Sequence, residues 1–422
     1  MQLEITFHGK ARNRDSLIRT IQRLAQQRGG QMGAGKSGMR VALCPMGYLD
    51  FGWSKEGGLF GPWKITGGSI TTPGGPGFHR AVVEFLSELA KKELKELQVE
   101  DDTHYWEHRD MERLLQESYY PWLTQELEGA LEKLRQSPEN VPLFWDEEEV
   151  DYRPEDVPNT VYTPTGRFSS QWIQERLEQG DIQTLAQRLF LWPASGYNAL
   201  YYRNGALKQI WQNCCFAPSD RSYDDERSNA FILKLLEQAA KLDPTVPLPV
   251  STYRELCIMA GQDFVISEDA PEMEEEYVPG YHRGELIYRF EELEIPLPGA
   301  YRCDVETSSG VVSRTWQDEE SESPVWRASR YQAKGGPGEW NLDLSDFQEM
   351  ETLDLEGGQA RWGWREVPDL QEVEVARFQV LGEVITESAW YEFTIAYMEP
   401  EQREDLYARM RRIKRISSPG KD

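Results

Sequence analysis

Residues 30 to 37, Gly-Gln-Met-Gly-Ala-Gly-Lys-Ser, match G-x-x-x-x-G-K-[ST], the pattern of a loop that cradles phosphates. That chemistry needs a strand feeding the glycines and a helix starting at the lysine, so that free amides and the positive helix end meet the anion. The flanking residues run in the opposite order. Leu17, Ile18, Ile21, Leu24 and Ala25 recur at helical spacing before the octet, and Met39 to Cys44 is a short apolar, strand-like run after it, ended by Pro45. No helix pattern starts near Lys36, and no apolar run ending in Asp follows to steady a magnesium ion, Asp50 being the nearest acid. The octet therefore reads as a connector from a helix, stopped by Gly29 and Gly30, into a strand.

His104-Tyr-Trp-Glu-His108 fits H-x-x-E-H. On a helix, two imidazoles one turn apart can share a zinc ion while the carboxylate activates water. Over these five residues the chain resembles the inverted-motif zinc peptidases. The resemblance implies zinc on His104 and His108 with Glu107 as the catalytic carboxylate. A structural reading competes, because His104, His108, Met111, Leu115, Tyr119 and Trp122 fall on one helical stripe that would face a core. No third ligand identifies itself, so no cofactor is expected, with zinc as the alternative.

The third candidate has strand, loop and helix in the order an anion site requires. Trp63 to Thr66 reads as a strand, Gly67 to Gly77 as a loop and the stretch from Phe78 as a helix. Thr72, Gly74, Gly75 and Gly77 with His79 and Arg80 in the first turn form a candidate anion or small-ligand site. A tight structural connection is the competing reading, since glycines also serve plain turns.

These candidates sit in a chain of mixed α+β character. Leu3, Ile5 and Phe7 alternate as a half-buried strand, Asp15 or Ser16 caps the first helix, and residues 1–70 give β-α-β-β-β in outline. Val82 to Leu89 form the next helix, and Glu100-Asp101-Asp102-Thr103 offers a cap for a long one after it. Residues 137–166 carry five prolines and the acidic run Asp146 to Glu149, as a linker or covering loop would. The expected organisation is an α+β domain over 1–136, that linker, a helical region over 167–261 and a β-rich domain over 262–422. In the last, Tyr391, Phe393, Ile395 and Tyr397 mark a strand with one buried face near the end of the sheet, and Trp362 and Trp364 share a packed face. Leu406, Met410, Ile413 and Ile416 predict a closing amphipathic helix from Glu401 to Ser417, its Arg and Lys residues packing back on the acidic body.

With 422 residues the chain can bury more than one core without staples. Its 72 acidic against 46 basic residues give a net charge of -26, which repels phosphate backbones and anionic lipid, so neither nucleic acid nor membrane is expected as a partner. Five cysteines without a C-x-x-C pair, and no basic-plus-apolar leader, indicate a reducing, cytoplasmic setting. The acidic runs 146–149, 272–276 and 318–322 lack calcium-loop spacing and read as solvated loops. No catalytic set is complete. The expected function is a non-catalytic, immunity-like interaction protein that neutralises a basic protein such as a toxin. The alternatives are a metal-dependent hydrolase at 104–108 or an anion-binding enzyme at 67–80.

Overall fold

In the computed structural model the described residues are 2–35, 38–55, 61–147, 150–318, 323–332, 340–367 and 376–416. They form a mixed α+β fold with several sheets. The chain divides into two compact units, Met1–Trp145 with Asp156–Gly280, and Asp146–Glu155 with Tyr281–Asp422.

In the first unit β1 (Glu4–Ala11), α1 (Arg14–Gln26), β2 (Gln31–Gly35), β3 (Gly38–Cys44), β4 (Gly47–Lys55), β5 (Trp63–Ile70), α2 (Pro76–Lys92) and β6 (Leu94–Asp101) follow in order. The sheet order is β2-β3-β4-β5-β1-β6, with every neighbouring pair antiparallel. Alternation places Ile5, Phe7, Val41, Leu49, Phe51 and Ile65 in the core with Leu17, Ile21, Val82 and Phe85 of the helices. Burying each such side chain is worth roughly 1.5–3 kcal/mol.

Three local expectations need correction here. Asn13, not Asp15 or Ser16, is the N-cap of α1, its side chain accepting from the Ser16 amide. Residues 31–35 of the glycine-rich octet form a strand pairing with β3, so the outline gains a strand; Lys36 and Ser37 lie outside the described residues. Strand β5 runs on through Gly67 and Gly68 to Ile70, so the loop before α2 is shorter than the glycine pattern suggests.

After β6 come α3 (Tyr105–His108), α4 (Met111–Leu114), a π-helical turn at Leu115–Tyr119 and α5 (Tyr120–Gln136). The expected single long helix is broken at Arg109, whose backbone is left-handed at φ 55°. Of the expected stripe, Tyr119 is buried and Met111 and Trp122 pack against the core, whereas His104 is exposed; Leu114, Leu123 and Leu127 complete the buried face.

The proline-rich stretch holds β7 (Val141–Pro142), β8 (Tyr152–Pro154), β9 (Thr160–Thr163) and β10 (Gly166–Ser169). Strands β7, β9 and β10 make a small sheet of the first unit, and β8 joins a sheet of the second. Helices α6 (Ser170–Glu178), α7 (Ile182–Leu189), α8 (Ala199–Gln212), α9 (Tyr223–Leu242) and α10 (Val250–Ala260) follow. The acidic run 272–276 is a loop with Glu272, Glu274 and Glu276 exposed, and it also makes hydrogen bonds and an ion pair. Glu272 accepts from the Ser251 amide at the start of α10, Glu276 from the Ser169 amide before α6, and Glu275 pairs with Arg188.

In the second unit β11 (Glu285–Phe290) and β12 (Leu293–Pro298) pair with each other and with β8. Then β13 (Arg302–Ser308), β14 (Val311–Gln317), β15 (Val325–Gln332), β16 (Gln348–Leu355), β17 (Gly358–Glu366), β18 (Phe378–Thr386) and β19 (Ala389–Tyr397) build a seven-stranded sheet ordered β13-β14-β15-β19-β18-β17-β16. Strand β19 is therefore central, because alternation reveals a buried face but not a position in the sheet. Trp316, Trp326, Trp362, Tyr391, Phe393 and Ile395 are buried. Helix α11 (Gln402–Met410) stops sooner than expected, and Lys414–Arg415 forms β20 on β12. Arg415 there ion-pairs with the buried Glu292, a partner that helical periodicity does not reveal.

Candidate functional site

The loop between β5 and α2, with the start of α2, holds the residues marked in the sequence. His79 is fully buried. Its Nδ1 lies 2.9 Å from Thr71 Oγ1, and its Nε2 lies 3.1 Å from Thr103 Oγ1 and 3.3 Å from Asp101 Oδ2. Asp101 also accepts from the Thr103 amide at 2.9 Å, the Thr103 hydroxyl at 2.8 Å and the Trp106 amide at 2.8 Å. The Thr103 proton is thus committed to Asp101, and Nε2 faces acceptors alone, so it carries a proton. Tyr119 donates to Thr71 Oγ1 at 2.9 Å, while the rings of Tyr105 and Tyr119 stand edge-on to the imidazole.

The electrostatics follow from this geometry. Burial pushes the Asp101 carboxyl up, but the hydrogen bonds and charge of His79 and the bonds from Thr103 outweigh it and hold the group well below the usual carboxylate range. Burial raises the Tyr119 phenol far above its ordinary value. A His–Asp pair is the core of a general-base dyad, yet here both imidazole nitrogens are engaged by protein groups. The cluster ties the end of β5, the first turn of α2 and the end of β6 together.

The other marked residues have definite places. Gly75 precedes α2 with φ 89°, a left-handed conformation that favours glycine. The Gly77 amide donates to Trp192 O at 2.9 Å, and the Trp192 amide donates to Gly74 O at 3.0 Å. A Cβ on Gly77 would come within 2.2 Å of Trp192 Cδ1. The segment 190–194 thus lies directly against this helix start. Thr72 is 1% exposed, and its hydroxyl has no hydrogen-bond partner among the described residues. Arg80 pairs with Glu84 at 2.7 Å on the surface.

At the H-x-x-E-H segment, His104 is exposed with a left-handed backbone at φ 58°, and Glu107 is exposed. His108 Nδ1 accepts from the Asp110 amide at 2.9 Å, and its Nε2 faces Thr103 O at 3.4 Å. Among the described residues no three His, Cys, Asp or Glu side chains converge as metal ligands would.

A second feature, in the second unit, was not marked by the sequence. A groove of about 420 Å3 lies on one face of the seven-stranded sheet, lined by Glu306, Ser313, Arg327, Ser329, Tyr331 and Glu392 among others. The pairing register puts Glu306 opposite Ser313, Ser313 opposite Ser329, Ser329 opposite Glu392, Glu392 opposite Glu383, and Glu383 opposite Arg361. Directly opposed residues share a face, so these six make one polar row across the sheet. Ser313 and Ser329 are joined at 2.8 Å, and Tyr331 donates to Glu392 at 3.4 Å. Glu383 is fully buried, held by Arg361 at 2.6 Å and by the amides of Asn341 and Leu342.

No family model, no curated protein and no solved structure matches this chain. The functional reading therefore rests on residues and geometry alone.

Sequence reasoning placed His79 at a site but missed Thr71, Asp101, Thr103 and Tyr119 as its partners. The row from Glu306 to Arg361 was also missed, although the polar alternates Glu392 and Thr394 were visible in the strand pattern. What the pattern lacks is register, which is set by pairing between strands distant in sequence.

Proposed function

We propose that this protein is a non-catalytic binding protein that engages and neutralises a basic protein partner. The observation that carries the reading is charge. The acidic excess of 72 over 46 residues gives a net charge of -26, a field that draws cationic partners and speeds their encounter. The charge of -26 already counts the basic C-terminal block, whose arginines pair with carboxylates of their own unit. Arg409 pairs with Glu285 at 2.8 Å, Arg411 with Glu351 at 2.7 Å and Glu404 at 2.8 Å, Arg412 with Glu285 at 2.5 Å, and Arg415 with Glu292 at 2.8 Å. The His79 cluster adds to the support, since its imidazole is committed to buried partners on both nitrogens.

Among the described residues no helix is long and apolar enough to cross a membrane. Nucleic acid remains outside the proposal because the same field repels phosphates. The test is capture by the immobilised full chain from its source cells, with quantitative mass spectrometry. The expected result is a stoichiometric protein of basic pI whose retention falls steeply as salt rises. Recovery of no stoichiometric partner, or of an acidic one, would overturn the proposal.

A further inference from the structure

We infer that the groove on the seven-stranded sheet receives a lysine or arginine side chain of the basic partner, its cationic head lying against Glu392 and Glu306. This inference rests on the partner reading above and adds the surface and the chemistry by which it works.

Hydrogen-bond acceptors dominate the groove. A carboxylate can only accept, so the Tyr331 hydroxyl spends its proton on Glu392. Ser313 and Ser329 lie 2.8 Å apart, and either hydroxyl can donate in that pair while both keep lone pairs. Lone pairs are on offer to a visitor. Ser313 Oγ, the free oxygen of Glu392 and the carboxylate of Glu306 are all acceptors, which suits an ammonium with three donors or a guanidinium with five.

Charge along the row is unevenly balanced. Glu383 and Glu392 are directly opposed carboxylates, an arrangement that is unfavourable unless each is compensated. Glu383 is compensated by Arg361 and two amides. Glu392 has no ion pair among the described residues; the Tyr331 hydroxyl donates to it at 3.4 Å. Within the groove, Glu306 and Glu392 against Arg327 leave one net negative charge, and the Arg327–Glu306 pair is loose at 3.4 Å with both side chains more than half exposed. One monovalent cationic head completes the set.

Other classes of ligand fit the lining poorly. An anion would meet two carboxylates against a single guanidinium. A greasy ligand would find Val311 as the one aliphatic side chain in the lining. Glu306, Ser308 and Arg327 in its lining are exposed, which fits a side chain presented from a protein surface.

The test uses the full chain and fluorescence anisotropy with a labelled peptide of alternating glycine and arginine, against the same peptide carrying citrulline in place of arginine. The variants are Glu392→Gln, the rim variant Glu306→Gln, and Glu387→Gln as a charge-matched control at an exposed residue outside the row. The expected result is binding of the arginine peptide alone, weakened at least tenfold by Glu392→Gln and several-fold by Glu306→Gln, with the control within twofold of the parent. Equal weakening by all three variants would overturn the groove, since diffuse charge would then explain binding. If the partner captured in the preceding experiment is held equally well by Glu392→Gln, the groove fails while the partner reading stands. If the parent chain captures no basic partner, both fall.

Discussion

Replacing Asp101 by Asn removes one negative charge from a site where four hydrogen bonds converge, and the structure sets the size of the loss. The carboxylate accepts from the Thr103 amide, the Thr103 hydroxyl, the Trp106 amide and His79 Nε2. An asparagine keeps one oxygen, either for the Thr103 amide and hydroxyl at the Oδ1 position or for the Trp106 amide and His79 Nε2 at the Oδ2 position, and turns an NH2 group toward the other two donors, which lose their acceptor. Hydrogen bonds to a charged group are each worth about 1.5–3 kcal/mol, and breaking a buried charged pair costs about 3–5 kcal/mol. The expected destabilisation of the first unit at pH 7 is therefore about 3–5 kcal/mol. The sign of the pH dependence follows from the lowered pKa of Asp101. A depressed carboxyl contributes its stability in full above the unfolded value, about 3.9, and loses it as pH falls toward the folded value. The gap between parent and variant should stay constant from pH 8 to 5 and shrink by about 1.4 kcal/mol per unit below pH 4. Met39 and Met46 are buried in the same unit, so their peroxide oxidation across a denaturant series, read by mass spectrometry, reports on that unit alone. A variant within about 0.5 kcal/mol of the parent at pH 7, or a gap unchanged at pH 3, would refute the reasoning.

Three further outcomes are expected. Gly77→Ala should destabilise the first unit by about 1–3 kcal/mol or more, because the new methyl meets Trp192 Cδ1 at 2.2 Å and Ala194 O at 2.4 Å; the same oxidation series measures it, and an unchanged midpoint would contradict the packing. Glu292 is raised in pKa by burial but lowered overall by bonds from Thr386, Ser388 and Arg415, so Glu292→Gln should loosen the chain end. Faster amide exchange at Ile416, whose amide donates to Glu292 O at 2.8 Å, is the expected signal, and unaltered protection there would count against it. Burial pushes the Cys303 thiol up to about 11, with Arg314 opposing, so its alkylation by iodoacetamide should be slow at pH 8 and still rising above pH 10; a plateau by pH 9 would contradict the geometry.

The sequence was most informative where a pattern is local. The alternation at Leu3, Ile5 and Phe7 and the apolar face of Val82 to Leu89 each depend on one period and appear as a strand and a helix. Capping was harder to place, because Asn13, Asp15 and Ser16 all carry suitable oxygens and the backbone selects among them. The closing helix was over-extended by its own periodicity. Ile413 and Ile416 continue the helical spacing, but the pull of Glu292 on Arg415 and the free edge of β12 draw the chain into β20 instead.

The phosphate-loop letters illustrate the same division. The octet's flanking residues sufficed to deny it a helix after the lysine, yet pairing with β3 decided that residues 31–35 are themselves a strand. His79 was visible as a residue in a first helical turn. Its burial among Thr71, Asp101, Thr103 and Tyr119 required β6 and the π-helical turn to arrive from 22 to 40 positions further along the chain.

What the amino-acid sequence determined by itself was the mixed α+β class, the acidic field and the faces of individual strands and helices, because composition and short periods are properties of a chain segment. Tertiary structure alone decided that six polar residues from six strands form one row, and that His79 lies in the interior. Register and burial depend on which distant segments meet, and contacts of that kind leave no period in the sequence.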